Sequence, residues 1–124
     1  MTASIQHTGL SAPASGQSIV IVGVGGQGTL LASRVLGRIG SELYGDVTVS
    51  EVHGMSQRGG SVVTYVRMGD AVASPIIEKG QADIVLAFEL LEALRALPYL
   101  KKGGRMLINT QQILPMPVIS GSCA

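Results

Sequence analysis

A single cysteine, Cys123, stands beside the C-terminus, so the chain can form no internal disulfide and no cysteine-based metal site. Charge is scarce as well. Only 14% of the residues are Asp, Glu, Lys or Arg, the formal net charge is +1, and no basic run occurs, which excludes the electrostatic footprint of a nucleic-acid binder. Apolar runs reach about five residues, against the roughly twenty that a membrane helix needs. The first residues, MTASIQHTGLSAPASGQ, have no basic n-region and no apolar h-region and do not read as a secretory signal. A reducing, cytoplasmic compartment is therefore expected.

Apolar side chains are abundant by contrast, at 46% of 124 residues. That length suits one domain with a real core. So many apolar residues with so few charges predict that part of the apolar surface faces a partner.

Met1 to Gln17 is polar, small and without periodicity, and reads as a disordered tail. Order is expected from Ser18. Ile19-Val20-Ile21-Val22 reads as a strand covered on both faces, followed by the turn Gly23-Val24-Gly25-Gly26-Gln27-Gly28. From Thr29 to about Tyr44 the period becomes helical, with Ala32, Val35, Leu36, Ile39 and Leu43 on one face. Gly37 and Gly40 weaken such a helix by about 1 kcal/mol each, and close packing on a sheet is the reason to expect them there. Val47 to Glu51 reads as a second strand, which makes a βαβ unit.

Further strands are expected at Ser61–Met68, Asp83–Phe88 and Arg105–Asn109, with Ser74–Ile77 as a short edge segment. A helix over about Glu89–Leu97 places Leu90, Leu91, Leu94 and Leu97 inward. Alternating strands and helices predict an α/β, Rossmann-like, mostly parallel sheet with helices on both faces and right-handed crossovers. Ligands in such sheets lie beyond the carboxyl ends of the strands.

The groups expected there are the Gly23–Gly28 turn, Glu51 and the loop after it, Glu89, and Asn109-Thr110, and two of these segments carry motifs. Gly23, Gly25 and Gly28 form a GxGxxG fingerprint between strand and helix, and Glu51 ends the second strand at the spacing of a ribose-binding carboxylate. A dinucleotide module is one reading; a tight βα turn that needs glycine with or without a ligand is the other. A P-loop is disfavoured because Thr29 stands where its lysine belongs. The second segment is His53-Gly54-Met55-Ser56-Gln57-Arg58-Gly59-Gly60. An arginine fork among glycine amides suits a phosphate, a carboxylate or a partner's acidic side chain, while the plain alternative is a hairpin connection with a solvated arginine. Ser56 makes no nucleophile elbow, because Arg58 occupies the place of the second glycine. His53 has no second histidine or cysteine near it and reads as a polar loop residue. Glu89 reads as a first-turn helix acid. No triad, paired-carboxylate site or metal cluster is legible, so any enzyme chemistry is expected on another chain.

Together, Val22 to Thr29 with its GGQG turn, Glu51 to Gly60 with its GMSQRGG loop, and Val66-Arg67 closely resemble the gamma domain of pyruvate/2-oxoacid:ferredoxin oxidoreductases. The resemblance covers Ser18 to about Gly121. It implies a gamma-type domain over residues 18–124, with its C-terminal part expected to be missing. It also implies a non-catalytic subunit. Thiamine diphosphate and iron–sulfur clusters would then lie on a large partner chain that decarboxylates a pyruvate- or indolepyruvate-type 2-oxoacid to an acyl-CoA. Ferredoxin would take the electrons, and this domain would stand near coenzyme A. Gly23, Gly25, Gly26, Gln27, Gly28, Glu51 and His53 to Gly60 are the expected ligand- or interface-binding residues. A stand-alone dinucleotide-binding or regulatory module is the alternative.

Overall fold

The computed structural model describes residues 16–25, 28–53 and 60–109. The expected tail over Met1–Gln17 lies outside them as far as residue 15, as does everything after Asn109. Five strands and two helices follow in chain order: β1 (Gln17–Val24), α1 (Thr29–Leu43), β2 (Asp46–His53), β3 (Ser61–Gly69), β4 (Ala82–Ala87), α2 (Leu90–Ala96), a 3₁₀ turn (Leu97–Tyr99) and β5 (Leu100–Ile108). Their sheet order is β2-β3-β1-β4-β5. The end of the expected tail is ordered: Gln17 opens β1, paired with Met68, because the strand pairing with β3 runs on to it.

β1 lies in the middle because its side chains are apolar on both faces, and Val20 and Ile21 are fully buried. It pairs parallel with β4 and antiparallel with β3, and β3 pairs antiparallel with β2. Four strands therefore point one way and β3 alone runs back. The βαβ unit exists, but β3 is inserted between its two strands. Chain length explains the reversal. Only residues 54–60 separate β2 from β3, and a parallel crossover needs a dozen or more.

The helices cover opposite faces. On one, Ile19, Ile21, Val66 and Met68 pack with Ala32 and Leu36 of α1. On the other, Val20, Val22, Tyr65, Val85 and Ala87 pack with Ala93 and Ala96 of α2. The residues of α1 that touch the sheet most closely are Thr29, Ser33 and Gly40, while Val35 is half exposed. Both helix glycines have the packing role expected of them. A Cβ on Gly40 would meet Met68 Sδ and Val47 Cγ2 at 3.0 Å each, and one on Gly37 would meet Val49 Cγ2 at 3.2 Å.

The two glycines should respond differently to substitution. Gly40→Val overpacks a buried contact and should cost about 1–3 kcal/mol. Gly37→Ala meets only Val49, which lies on an edge strand and is 41% exposed. There the helix-propensity gain of up to about 1 kcal/mol should survive. Urea unfolding of the two variants checks this: one midpoint should fall and the other should hold or rise.

Three expectations fail on detail. Leu94 and Leu97 point outward, 63% and 54% exposed, while Glu92, Ala93 and Ala96 are buried. The cap sets this phase, because Glu89 precedes the helix and its carboxylate accepts from Glu92 N–H at 2.9 Å. Ser74–Ile77 is not a strand. It is a loop pinned by Arg67, which donates to the carbonyls of Ser74 and Ile76 at 2.9 and 3.1 Å, and it buries Ile77. The last strand begins at Leu100 rather than Arg105, with Lys101–Gly104 looped out of register, since Ala82 faces Leu100 and Ile84 faces Arg105.

Candidate functional site

The carboxyl ends of β1, β2, β4 and β5 share one edge of the sheet with the start of β3, as the partners Val24–Ser61, His53–Val62, Val22–Ala87 and Ala87–Ile108 show. The glycine turn after β1 is tied to the loop entering β3, because Gly25 N–H donates to Gly60 O at 3.1 Å. The two glycine-rich segments singled out in the sequence therefore meet at their described ends. Gly26, Gln27, Gly54, Met55, Ser56, Gln57, Arg58 and Gly59 lie outside the described residues.

Gly28 sits at φ +93° as the N-cap of α1. An L side chain there would be strained by roughly 1–3 kcal/mol, so glycine is required by the backbone alone. α1 has no side-chain cap and no acidic residue in its first turn. Fifteen residues of aligned peptides thus end in uncapped amide donors at this rim, an arrangement that favours an anion.

Two strands along, Phe88 N–H donates to Val22 O at 2.9 Å, and Asn109 N–H to Ala87 O at 2.8 Å. A shallow recess of about 290 Å³ opens there, lined by Leu86, Ala87, Phe88, Leu107, Ile108 and Asn109. Between it and the glycine segments lies a polar arc, of which sequence reading placed only Glu89 at this edge. Glu89 is 2% exposed and caps α2. The buried Glu92 receives Arg95 at 2.8 Å, and the same guanidinium nitrogen reaches Ser61 Oγ at 3.1 Å. The three-residue spacing of Glu89, Glu92 and Arg95 was the available signal. The arc fixes α2 to the start of β3, so its first role is positional.

Glu51 does not end its strand. β2 runs on to His53, and Glu51 is half-buried opposite Thr64 on the face that α1 covers. Because β3 stands between β2 and β1, Glu51 is two strand spacings, about 10 Å, from the glycine turn's strand. In a dinucleotide-binding βαβ unit the two strands are adjacent. The fingerprint here is therefore separated from its carboxylate.

A larger cleft of about 350 Å³ lies at the other end of the sheet, beside Gln17, Arg67, Asp83 and Lys101. Its charged groups are already engaged. Arg67 holds two backbone carbonyls, and Asp83 pairs with Lys101 and accepts from Ser18 N–H at 2.7 Å. Among the described residues no three His, Cys, Asp or Glu side chains gather as metal ligands, and no helix is long and apolar enough to cross a membrane.

Comparison with known proteins adds a second line. The family described as pyruvate ferredoxin/flavodoxin oxidoreductase matches residues 18–122. Indolepyruvate oxidoreductase subunit IorB of Pyrococcus horikoshii is 51% identical over 104 residues, covering 84% of this chain and 52% of the relative. The same subunit of Thermococcus kodakarensis is 50% identical over an equal span. The chain thus covers about half the length of the curated relatives it matches. Among solved structures, the keto/oxoacid ferredoxin oxidoreductase gamma subunit of Geobacter sulfurreducens aligns with a TM-score of 0.58 at 27% identity, over 75% of this chain and 50% of that one. Pyruvate oxidoreductase subunit PORC of Thermotoga maritima, at 24% identity and a TM-score of 0.61, covers 81% of this chain and 53% of its own, and supports the fold.

Proposed function

The chain belongs to the pyruvate ferredoxin/flavodoxin oxidoreductase family, and on that premise we propose that it is a non-catalytic subunit of a cytoplasmic 2-oxoacid:ferredoxin oxidoreductase. The substrate is a 2-oxoacid of the indolepyruvate or pyruvate type, decarboxylated to an acyl-CoA on a large partner chain, with ferredoxin as the distant electron acceptor. Relatives at about half identity are named as subunits of an indolepyruvate oxidoreductase, which supports the indolepyruvate side. The chain's own residues agree with this division of labour. One cysteine cannot hold an iron–sulfur cluster, whose common forms take four, so the clusters are assigned to the partner, and we place thiamine diphosphate with them.

The observation that carries the subunit reading is the outer surface of α2. Leu94 of α2 and Leu97, which opens the 3₁₀ turn after it, face outward while the alanines of α2 face the sheet. A lone exposed leucine needs no explanation, but a leucine ridge on a chain with so little charge is a surface made to be covered. The carboxyl-end rim is assigned to coenzyme A or to an acidic group of the partner. Uncapped α1 amides offer hydrogen-bond donors and a positive potential, and Arg58, in the segment that joins β2 to β3, is proposed to add its guanidinium. The dinucleotide-module reading is weaker because β3 separates Glu51 from the glycine turn.

Arg58→Ala in the assembled enzyme tests this site. A charge-assisted hydrogen bond is worth about 1.5–3 kcal/mol, so loss of a coenzyme A contact should raise the coenzyme A KM roughly tenfold or more. The 2-oxoacid KM should stay nearly unchanged. If Arg58 grips the partner instead, subunit affinity should fall and kinetics should recover at high protein concentration. A variant that assembles and turns over like the parent removes Arg58 from the site.

A further inference from the structure

The two outer strands of the sheet differ in how well they are defended. β5 is interrupted near its start, where Lys101–Gly104 loop out of register, and Lys101, Lys102 and Arg105 are exposed on it. A bulge and clustered cations keep an edge from pairing. β2 has neither. It pairs without interruption from Asp46 to His53 with β3, its one neighbour among the described residues. It holds no proline, glycine, lysine or arginine, and three of its eight residues are valine. Every residue from Asp46 to Val52 is half-buried or exposed, with Val49 at 41% and Val52 at 51%. Its outer row of amides and carbonyls is a template for another strand.

Symmetry narrows what that strand is. Pairing of β2 with β5 of another copy would be head-to-tail and would run on into an open fibre, and the bulge and cations of β5 oppose it. β2 against β2 closes after two copies. A two-fold axis perpendicular to the sheet makes this pair antiparallel and sets its residues in register about a single central one. With Val49 at the centre, Val49 faces its own counterpart, Thr48 faces Ser50, Val47 faces Glu51 and Asp46 faces Val52. No acid then faces an acid. The hydroxyls of Thr48 and Ser50 lie opposite each other on one face, and the exposed Val49 side chains meet on the other, the face that α1 covers.

We infer that two copies of this chain join edge to edge through β2, antiparallel and centred on Val49, so that their two five-stranded sheets become one. The carboxyl-end rims of the two copies then open at opposite ends of the joined sheet. α2 packs on β1 and β4, so Leu94 and Leu97 lie away from the seam. Pairing over seven residues supplies about seven interchain hydrogen bonds, at the low end for an interface, and a dimer of micromolar rather than nanomolar affinity follows.

The inference rests on the strand edge and not on the subunit reading, so its test uses the 124-residue chain without a large subunit. Sedimentation equilibrium should show a dimer that dissociates in the micromolar range. Val49→Lys sets two ammonium groups opposite each other and should weaken it at least about tenfold. Val52→Lys sets a cation opposite Asp46 of the second copy, and affinity should stay within about twofold or rise. In a Cys123→Ser background, Val49→Cys should be bridged between copies by a short bismaleimide. Val52→Cys should not, because the two positions 52 stand about 20 Å apart across the axis. Circular dichroism establishes that each variant is folded, and the thiol comparison stands if a lysine variant is not. A monomer at every concentration overturns the inference. So does equal weakening by the two lysines, equal bridging at positions 49 and 52, or a dimer that Leu107→Asp abolishes and Val49→Lys does not.

Discussion

Leu94→Asp combined with Leu97→Asp is expected to abolish stable association with the proposed large partner subunit while leaving the domain folded. Both side chains are more than half exposed, one on α2 and one on the 3₁₀ turn after it, so neither supports the core. Burying a leucine in an interface is worth about 1.5–3 kcal/mol. Two lost leucines, each replaced by a charge that would have to be desolvated, should weaken binding by at least two to four decades. The cost to the fold is much smaller, since aspartate on an exposed helix position loses roughly 0.7 kcal/mol of propensity or less. Size-exclusion of co-expressed chains reads the first effect and thermal unfolding of the variant domain reads the second. Normal assembly of the double variant would move the interface off α2.

The largest effect on stability is expected at Ile21. It is fully buried in the central strand, opposite Thr64 on one side and Leu86 on the other. Truncation to alanine leaves a cavity between the sheet and α1, and such changes cost about 2–5 kcal/mol. A domain of this size has roughly 6 kcal/mol or more to lose, and its uncovered apolar surfaces argue for the low end. Ile21→Ala should therefore unfold at far lower urea, or populate the unfolded state without it. Leu107→Ala removes a side chain already 57% exposed and should cost under about 1 kcal/mol. Similar losses at the two positions would contradict the assignment of the core to β1 and its neighbours.

Much of this architecture was legible because local rules and tertiary packing agree. Ile19-Val20-Ile21-Val22 reads as a buried strand and is one, and the glycine turn opens α1 where a left-handed Gly28 is needed. Gly37 and Gly40 read as close-approach positions and sit against Val49, Val47 and Met68. The misses have physical causes. Strand direction is set by connection length, and the seven residues between β2 and β3 outweigh the α/β habit of parallel pairing. The leucines of α2 are at helical spacing, yet the Glu89 cap and the small Ala93 and Ala96 choose the buried side. Hydrophobicity alone points a helix toward its largest side chains. Leu94 and Leu97 break that rule, being 63% and 54% exposed.

Glu51 shows how a site can be misjudged when its motif is right. The spacing from the glycine turn fits a ribose carboxylate, but spacing along the chain carries no information about an inserted strand. Once β3 lies between β1 and β2, Glu51 stands two strands from the glycine turn.

The central claim, that this chain serves an oxidoreductase whose chemistry lies on another chain, is tested most directly by reconstitution. The purified chain is assayed for 2-oxoacid- and coenzyme A-dependent dye reduction with added thiamine diphosphate, alone and after co-expression with the large subunit. The account predicts no turnover from the isolated chain, because it assigns the carbanion and electron-transfer chemistry to cofactors on the partner, and turnover from the co-purified complex. Turnover by the chain alone at the rate of the complete enzyme, or a complex that gains nothing from its presence, would contradict it.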